Sequence, residues 1–318
     1  MSRASRPRQP RAALVALALL AIPVALAACA QAPSQAPSQA TRALDPAEPR
    51  VELTARTRDG LPASLVGPYF YIETQADGVS LTLILDTGAE QTVIDAAAAD
   101  RLFPDRTEPT TIRAVSADGL RADIAGVVRL GSLTAGPVRA TGVTALAVGM
   151  SPILDELHRQ TGLRAHGLLG WDVLGAVTIE LDYPAAAVRV ESSGALASAQ
   201  GQALVSGPLP TVDIDMPDGR RRFTIDTGAA GSLQMPVIRR LPLRGPPQRL
   251  GDAQSITGVT PAVGARMNGS IRFGGATITD PMVERTSGPA RIGAGLLRSG
   301  VITIDPAARR VRFRLTAD

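Results

Sequence analysis

One cysteine, Cys29, serves all 318 residues, so no disulfide can close within the chain and no thiolate cluster can hold a metal. Histidine is almost as scarce. His158 and His166 are too few for a histidine-rich metal site, and both fall in or just after a helix expected over 151–160, followed by Gly162. A surface or capping role is expected for each. Lysine is absent, so all 33 basic residues are arginine. Four of these lie within the first 28 residues, and the remaining 29 face 29 acidic residues. Beyond that N-terminal segment the chain is formally neutral, which excludes the basic surface that nucleic acid or an anionic membrane would call for.

The N-terminal segment has its own logic. Arg3, Arg6, Arg8 and Arg11 precede an apolar run over 12–26, too short for a membrane-spanning helix and suited to a signal-peptide core. The run ends in Leu26-Ala27-Ala28-Cys29, small residues directly before the single cysteine. This resembles a bacterial lipobox, in which the thiol is acylated and the chain is cut before it. The alternative is an incidental cysteine behind an ordinary signal cleavage site. Residues 1–28 are therefore expected to lie outside the fold. A tandem Ala-Pro-Ser-Gln repeat over 31–40 cannot bury enough surface to fold, so 29–50 reads as a disordered tether. The organisation expected is a lipid-anchored chain at the cell envelope, on the periplasmic face, its membrane contact made through Cys29.

From about residue 51 onward the chain repeats itself. An apolar strand over 81–85 runs into Asp86-Thr87-Gly88-Ala89, and a second over 221–225 runs into Asp226-Thr227-Gly228-Ala229. Each strand comes after an Asp-Gly turn, at Asp77-Gly78 and Asp218-Gly219, so each unit is expected to open as a hairpin. A short helix should succeed each turn, over 96–103 behind a capping Asp95 and over 236–241 behind Pro236. The halves close alike, on strands over 177–182 and 188–190, and over 301–305 and 311–313. Both carry Gly-punctuated β segments between, at Arg129-Leu130-Gly131-Ser132 and Arg272-Phe273-Gly274-Gly275. A lone Asp-Thr-Gly occurs by chance in roughly one chain in ten of this length. Two copies, each after an apolar strand and at the same place in a duplicated unit, are a strong signal. The fold expected is mostly β with a few short helices, in two lobes over 51–200 and 201–318.

An aspartate at the end of an apolar strand projects from a firm base, threonine offers a hydroxyl to a neighbouring backbone, and glycine lets another chain approach. Two such turns facing each other would set their carboxylates side by side. Carboxylates about 3 Å apart repel by roughly 5 kcal/mol at an effective dielectric near 20, about four pKa units, so the pair can keep one proton near neutral pH. An acid and a base then share one site. The base draws a proton from water, the water attacks a peptide carbonyl, and the acid protonates its oxygen, with no metal and no cofactor required.

These motifs resemble those of the pepsin and retropepsin superfamily, and specifically the retropepsin-like aspartyl proteases of bacteria. Asp86 to Ile94 matches the family motif, and Gly167-Leu168-Leu169-Gly170-Trp171-Asp172-Val173-Leu174 its second signature. The resemblance covers about 69–313. It implies that Asp86 and Asp226 share the water, that Thr87 and Thr227 bond across the two loops, and that Gly88 and Gly228 allow the close approach. With both copies in one chain, a monomeric pseudo-dimer acting on a peptide or protein substrate is implied. Ala89 and Ala229 stand where pepsin-like enzymes place a hydroxyl donor, which points to activity at mildly acidic to neutral pH.

Two places depart from the pattern. In Ala290-Arg291-Ile292-Gly293-Ala294-Gly295-Leu296, the second lobe's form of the second signature, Arg291 replaces an apolar residue. The candidate flap, Ser116-Ala117-Asp118-Gly119, reads equally as a surface hairpin. Trp171, Tyr69, Phe70 and Tyr71 are expected to be core or to line a groove. Three functions remain open: an aspartic endopeptidase, a ligand-binding lipoprotein on the same fold, and an envelope scaffold. Carboxylates in contact across an open cleft would favour the first; carboxylates apart, or buried under a closed loop, the second.

Overall fold

A computed structural model describes residues 16–17, 48–54, 59–110, 113–115, 121–192, 194–196 and 200–316. The candidate flap residues Ser116 to Gly119, the candidate lipidation site Cys29 and the tether repeat all lie outside these described residues.

Both expected hairpins form. Tyr69–Ala76 pairs with Val79–Leu85, and Asp77 and Gly78 between them take φ of 47° and 85°, the left-handed pair that a two-residue hairpin needs to match the twist of its strands. Thr211–Met216 pairs antiparallel with Gly219–Asp226, but there the two-residue loop is Pro217-Asp218 and Gly219, at φ 123°, already pairs with Met216. The second strand of each hairpin alternates near its turn and is buried on both faces where it approaches the aspartate, as in Leu83-Ile84-Leu85. Such a strand must be flanked on both edges. Its outer neighbour is parallel in both copies: Gly167–Leu169 beside Val79–Leu85, and Arg291–Gly293 beside Gly219–Asp226.

The duplication extends to strand order. One sheet runs Val138–Val148, Val93–Asp95, Gly167–Leu169, Val79–Leu85, Tyr69–Ala76; the other runs Met282–Arg285, Leu233–Met235, Arg291–Gly293, Gly219–Asp226, Thr211–Met216. A third sheet joins the copies. Thr178–Asp182 pairs antiparallel with Gly300–Asp305, and each is flanked by the next strand in the chain, Ala187–Glu191 and Arg310–Leu315. The protein is mostly β, and its layers are those of an acid-protease-like fold.

Several expectations change on contact with the structure. The helix Ala96–Leu102 forms, and the Asp95 carboxylate accepts from Ala98 N–H at its start. The helix expected over 236–241 does not form. The segment makes a single turn, closed by Leu241 N–H to Ile238 O, because Pro242 bars its last residue from helical geometry and six residues give too little length to propagate. Arg129 to Ser132 lies inside one long strand, Arg121–Ala135, whereas Gly274 and Gly275 turn a separate small hairpin, Ser270–Phe273 with Ala276–Thr279. Ala16 and Leu17 run parallel to Ala253 and Gln254 at the edge of the second sheet. Among the described residues, no helix is long and apolar enough to cross a membrane.

Candidate active site

Each aspartate is carried to the same place by the same scaffold. Asp86 comes directly after Val79–Leu85, and its N–H reaches Leu169 O at 3.0 Å, so the parallel pairing runs up to the loop itself. Trp171 N–H then bonds to Ala89 O at 2.7 Å and pins the far side of the turn. In the second copy Ala294 N–H bonds to Ala229 O, also at 2.7 Å. Both turns are closed by the N–H of the alanine, Ala89 to Asp86 O and Ala229 to Asp226 O.

The two turns lock into each other. Thr87 Oγ1 donates to Ile225 O at 2.7 Å and accepts from Thr227 N–H at 3.2 Å. Thr227 Oγ1 donates to Leu85 O at 2.9 Å and accepts from Thr87 N–H at 3.0 Å. A hydroxyl carries one donor and two acceptor sites, so each threonine satisfies two buried backbone groups of the other loop. The glycines bring the carboxylates together. A β-carbon on Gly88 would lie 2.5 Å from Asp226 Cγ, and one on Gly228 would lie 2.5 Å from Asp86 Cγ. Each carboxylate thus rests against the glycine of the opposite loop, where no larger residue fits.

Both carboxyls are wholly buried. Burial pushes Asp86 well above the ordinary carboxylate range, and the neighbouring Asp226 pushes it further. Burial also raises Asp226, to about 6, against the opposing pull of a guanidinium. That guanidinium belongs to Arg291, whose Nη1 lies 3.6 Å from Asp226 Oδ2. The strand Arg291–Gly293 forms despite the arginine, whose side chain is buried.

A supporting layer stands behind each loop. In the first copy Thr92 Oγ1 donates to Asp172 at 2.8 Å and accepts from Gly170 N–H at 3.2 Å. In the second the Glu284 carboxylate accepts from Ser232 N–H at 2.8 Å. Tyr69, Phe70 and Tyr71 are core, while Trp171 is half-buried and lines a cleft of about 570 Å³ with Glu90, Gln91 and Asp172. His166 accepts Thr82 N–H through Nδ1, and His158 O caps its helix by accepting Gly162 N–H.

Of the candidate flap, the structure describes only the flanks: Arg113–Val115 pairs with the start of Arg121–Ala135. The corresponding hairpin of the second copy is described in full and was not expected from the sequence. Gln248–Ser255 and Gly258–Arg266 form it, and Ile256 at its tip packs on a first-copy cluster containing Tyr69, Ile84 and Leu168. Its signal was Ser255-Ile256-Thr257-Gly258, a polar turn with one apolar residue at its centre, standing between the second Asp-Thr-Gly and the second Gly-rich turn.

Paired β copies, crossed threonines and two abutting carboxyls define an acid-protease-like site. Residues 72–173, which include the first Asp-Thr-Gly turn and the strand Gly167–Leu169, match the family model for aspartyl proteases. That match supports a protease-like function. No curated protein matches the chain.

Proposed function

We propose that this protein is an aspartic endopeptidase in which Asp86 and Asp226 activate a water between them. The observation that carries the reading is the reciprocal seating of each carboxylate on the other loop's glycine. Two carboxyls held this closely cannot both ionise near neutral pH, so one serves as acid and the other as base. Attack of the water on a peptide carbonyl moves one proton to the base and one from the acid to the carbonyl oxygen. On collapse of the resulting diol the newly protonated aspartate gives its proton to the leaving nitrogen, the other aspartate takes one from a diol hydroxyl, and the C–N bond breaks to release acid and amine. Thr87, Thr227, Gly88 and Gly228 hold the geometry, and Ala89 and Ala229 offer no hydroxyl to pull the carboxyl pKa values back down. Burial raises both carboxyls, so activity should rise with pH as the pair loses its first proton, above the ordinary carboxylate range, and fall as it loses its second.

The purified full chain, incubated with a diverse peptide library across pH 3 to 8, tests this beside Asp86→Asn and Asp226→Asn. Cleavage by the wild type, lost in both variants, is expected. Cleavage surviving either substitution would assign the activity elsewhere.

One observation favours a second reading, a ligand-binding protein on the same fold: both carboxyls are fully covered, and Ile256 closes against the first copy. A folded wild type that cleaves nothing at any pH would make this the better description. We further propose that the chain is tethered at the cell envelope by a lipid on Cys29, from the arginines and apolar run before that residue. Cys29→Ser should abolish incorporation of labelled fatty acid; labelling that persists would remove the anchor.

A further inference from the structure

The strand pairing aligns Asp86 with Gly170 and Asp226 with Gly293, so Arg291 holds the position of Leu168. Leu168 is wholly buried in an apolar cluster that includes Ile153, Leu154 and Leu157 of the helix Ser151–Thr161. No helix stands between Met282–Arg285 and Arg291–Gly293. A cavity of about 400 Å³ is lined in part by Ser255, Glu284, Gln234, which pairs with Arg291, and Thr286, whose Oγ1 is 3.4 Å from Arg291 Nη2. The second copy has therefore exchanged an apolar plug for a charge next to its aspartate.

A guanidinium stays ionised at any pH a protein survives, so Arg291 cannot escape its burial by losing a proton. Its side chain is 3% exposed, with Nη1 at 3.6 Å from Asp226 Oδ2 and Nη2 at 3.4 Å from Thr286 Oγ1. A buried cation requires an anion nearby. Other ionisable groups surround this pair. Asp86 faces Asp226 from the first loop, and Tyr183 acts on it from the turn after Thr178–Asp182, itself under the influence of Arg298. Glu284 sits on the neighbouring wall, engaged by Ser232 N–H and, at 3.4 Å, by Gln234 Nε2. Of these, Asp226 is the carboxylate placed to answer Arg291.

We propose that Arg291 is a positioning residue of the carboxylate pair, fixing the negative charge on Asp226 and leaving the shared proton on Asp86. The inference rests on the peptidase reading for its consequence: Asp226 takes the proton from water, and Asp86 gives its own to the carbonyl oxygen. Collapse of the diol then restores Asp226 as carboxylate and Asp86 as acid. A symmetric pair has no preferred direction, and here the substitution of one strand residue supplies it.

The test uses the full chain labelled with ¹³C at aspartate carboxyls, titrated by NMR from pH 3 to 9, with Asp86→Asn and Asp226→Asn for assignment. Arg291→Met should move the first ionisation of the pair, and the acidic limb of kcat/KM, upward by about one to three pH units. Arg291→Lys should restore most of that shift. An unmoved titration in folded Arg291→Met overturns the proposal. Should that variant fail to fold, melting decides. Asp226→Asn removes the carboxylate that stands 3.6 Å from the buried guanidinium and must lower Tm more than Asp86→Asn, and equal losses overturn the assignment. The titration needs no substrate. A shifted titration in a protein that cleaves nothing would sink the peptidase reading and leave the charge assignment standing; cleavage with an unshifted titration would do the reverse.

Discussion

The two copies share their strand order and their crossed threonines, yet they support their aspartates by different means. The first is helical around its loop: Ala96–Leu102 and Ser151–Thr161 flank the central strands, and Leu168 is buried in an apolar cluster. The second has neither helix, and there Arg291, Gln234 and Glu284 are buried near a cavity. Where the copies touch, they are constrained alike, because each loop supplies what the other's backbone needs. Away from that contact each copy is free to diverge. The difference teaches that pseudo-symmetry is enforced locally by the interface of the two loops rather than globally by the fold.

If so, substitutions at the contact should be costly in both copies alike. Gly88→Ala and Gly228→Ala are the sharpest, since each places a methyl 2.5 Å from the other loop's carboxyl carbon, and neither loop can retreat without breaking the threonine bonds. Displacing a reacting group by even about 1 Å can cost on the order of 100-fold in rate. Both variants should lose at least about that much peptide cleavage, measured as kcat/KM. A large loss in one and none in the other would break the equivalence of the two loops.

This division also explains what could be read without coordinates. Asp86-Thr87-Gly88 and Asp226-Thr227-Gly228 were legible because the contact tolerates so few residue types that the same letters recur. The strand periodicities and Asp-Gly turns marked the hairpins for the same reason, as local chemistry written in local sequence. Arg291 was visible as a departure, but its direction was not: a charged residue in an apolar strand points outward or pairs, and the pairing partner lies 65 positions away. The expected helix at 236–241 failed where Pro242 outweighed Pro236. The hairpin tip at Ile256 was missed because its apolar partner surface belongs to the other copy.

Divergence away from the contact should give effects confined to one copy, and Asp95 is the strongest case. Its carboxylate accepts from Ala98 N–H at one helix start and from Met150 N–H (2.8 Å) and Ser151 Oγ (2.9 Å) at another. One buried side chain thus starts both helices that the second copy lacks. Asp95→Ala should cost about 2 kcal/mol in urea unfolding, with the loss of helical signal preceding the main transition. A loss of only a few tenths would mean that packing alone orders these helices.

The smallest effect separates the two supporting layers by pH. Burial raises the Asp172 carboxyl to about 6, against the pull of its bond from Thr92. In the unfolded chain an aspartate titrates near 4. The folded state therefore binds the proton more tightly, and the stabilisation is fully present below about pH 4 and lost as pH rises through about 6. Asp172→Asn removes that slope. Because the side chain is partly exposed at the cleft, the gain over wild type at pH 7 should be about 1 kcal/mol, with none at pH 4. Glu284, raised by burial in the second copy, should give the same sign on Glu284→Gln. Melting curves at pH 4 and 7 check both. If the Asp172 variant gained equally at the two pH values, its effect would be one of packing, and the first copy's support would carry no charge penalty for the second to differ from.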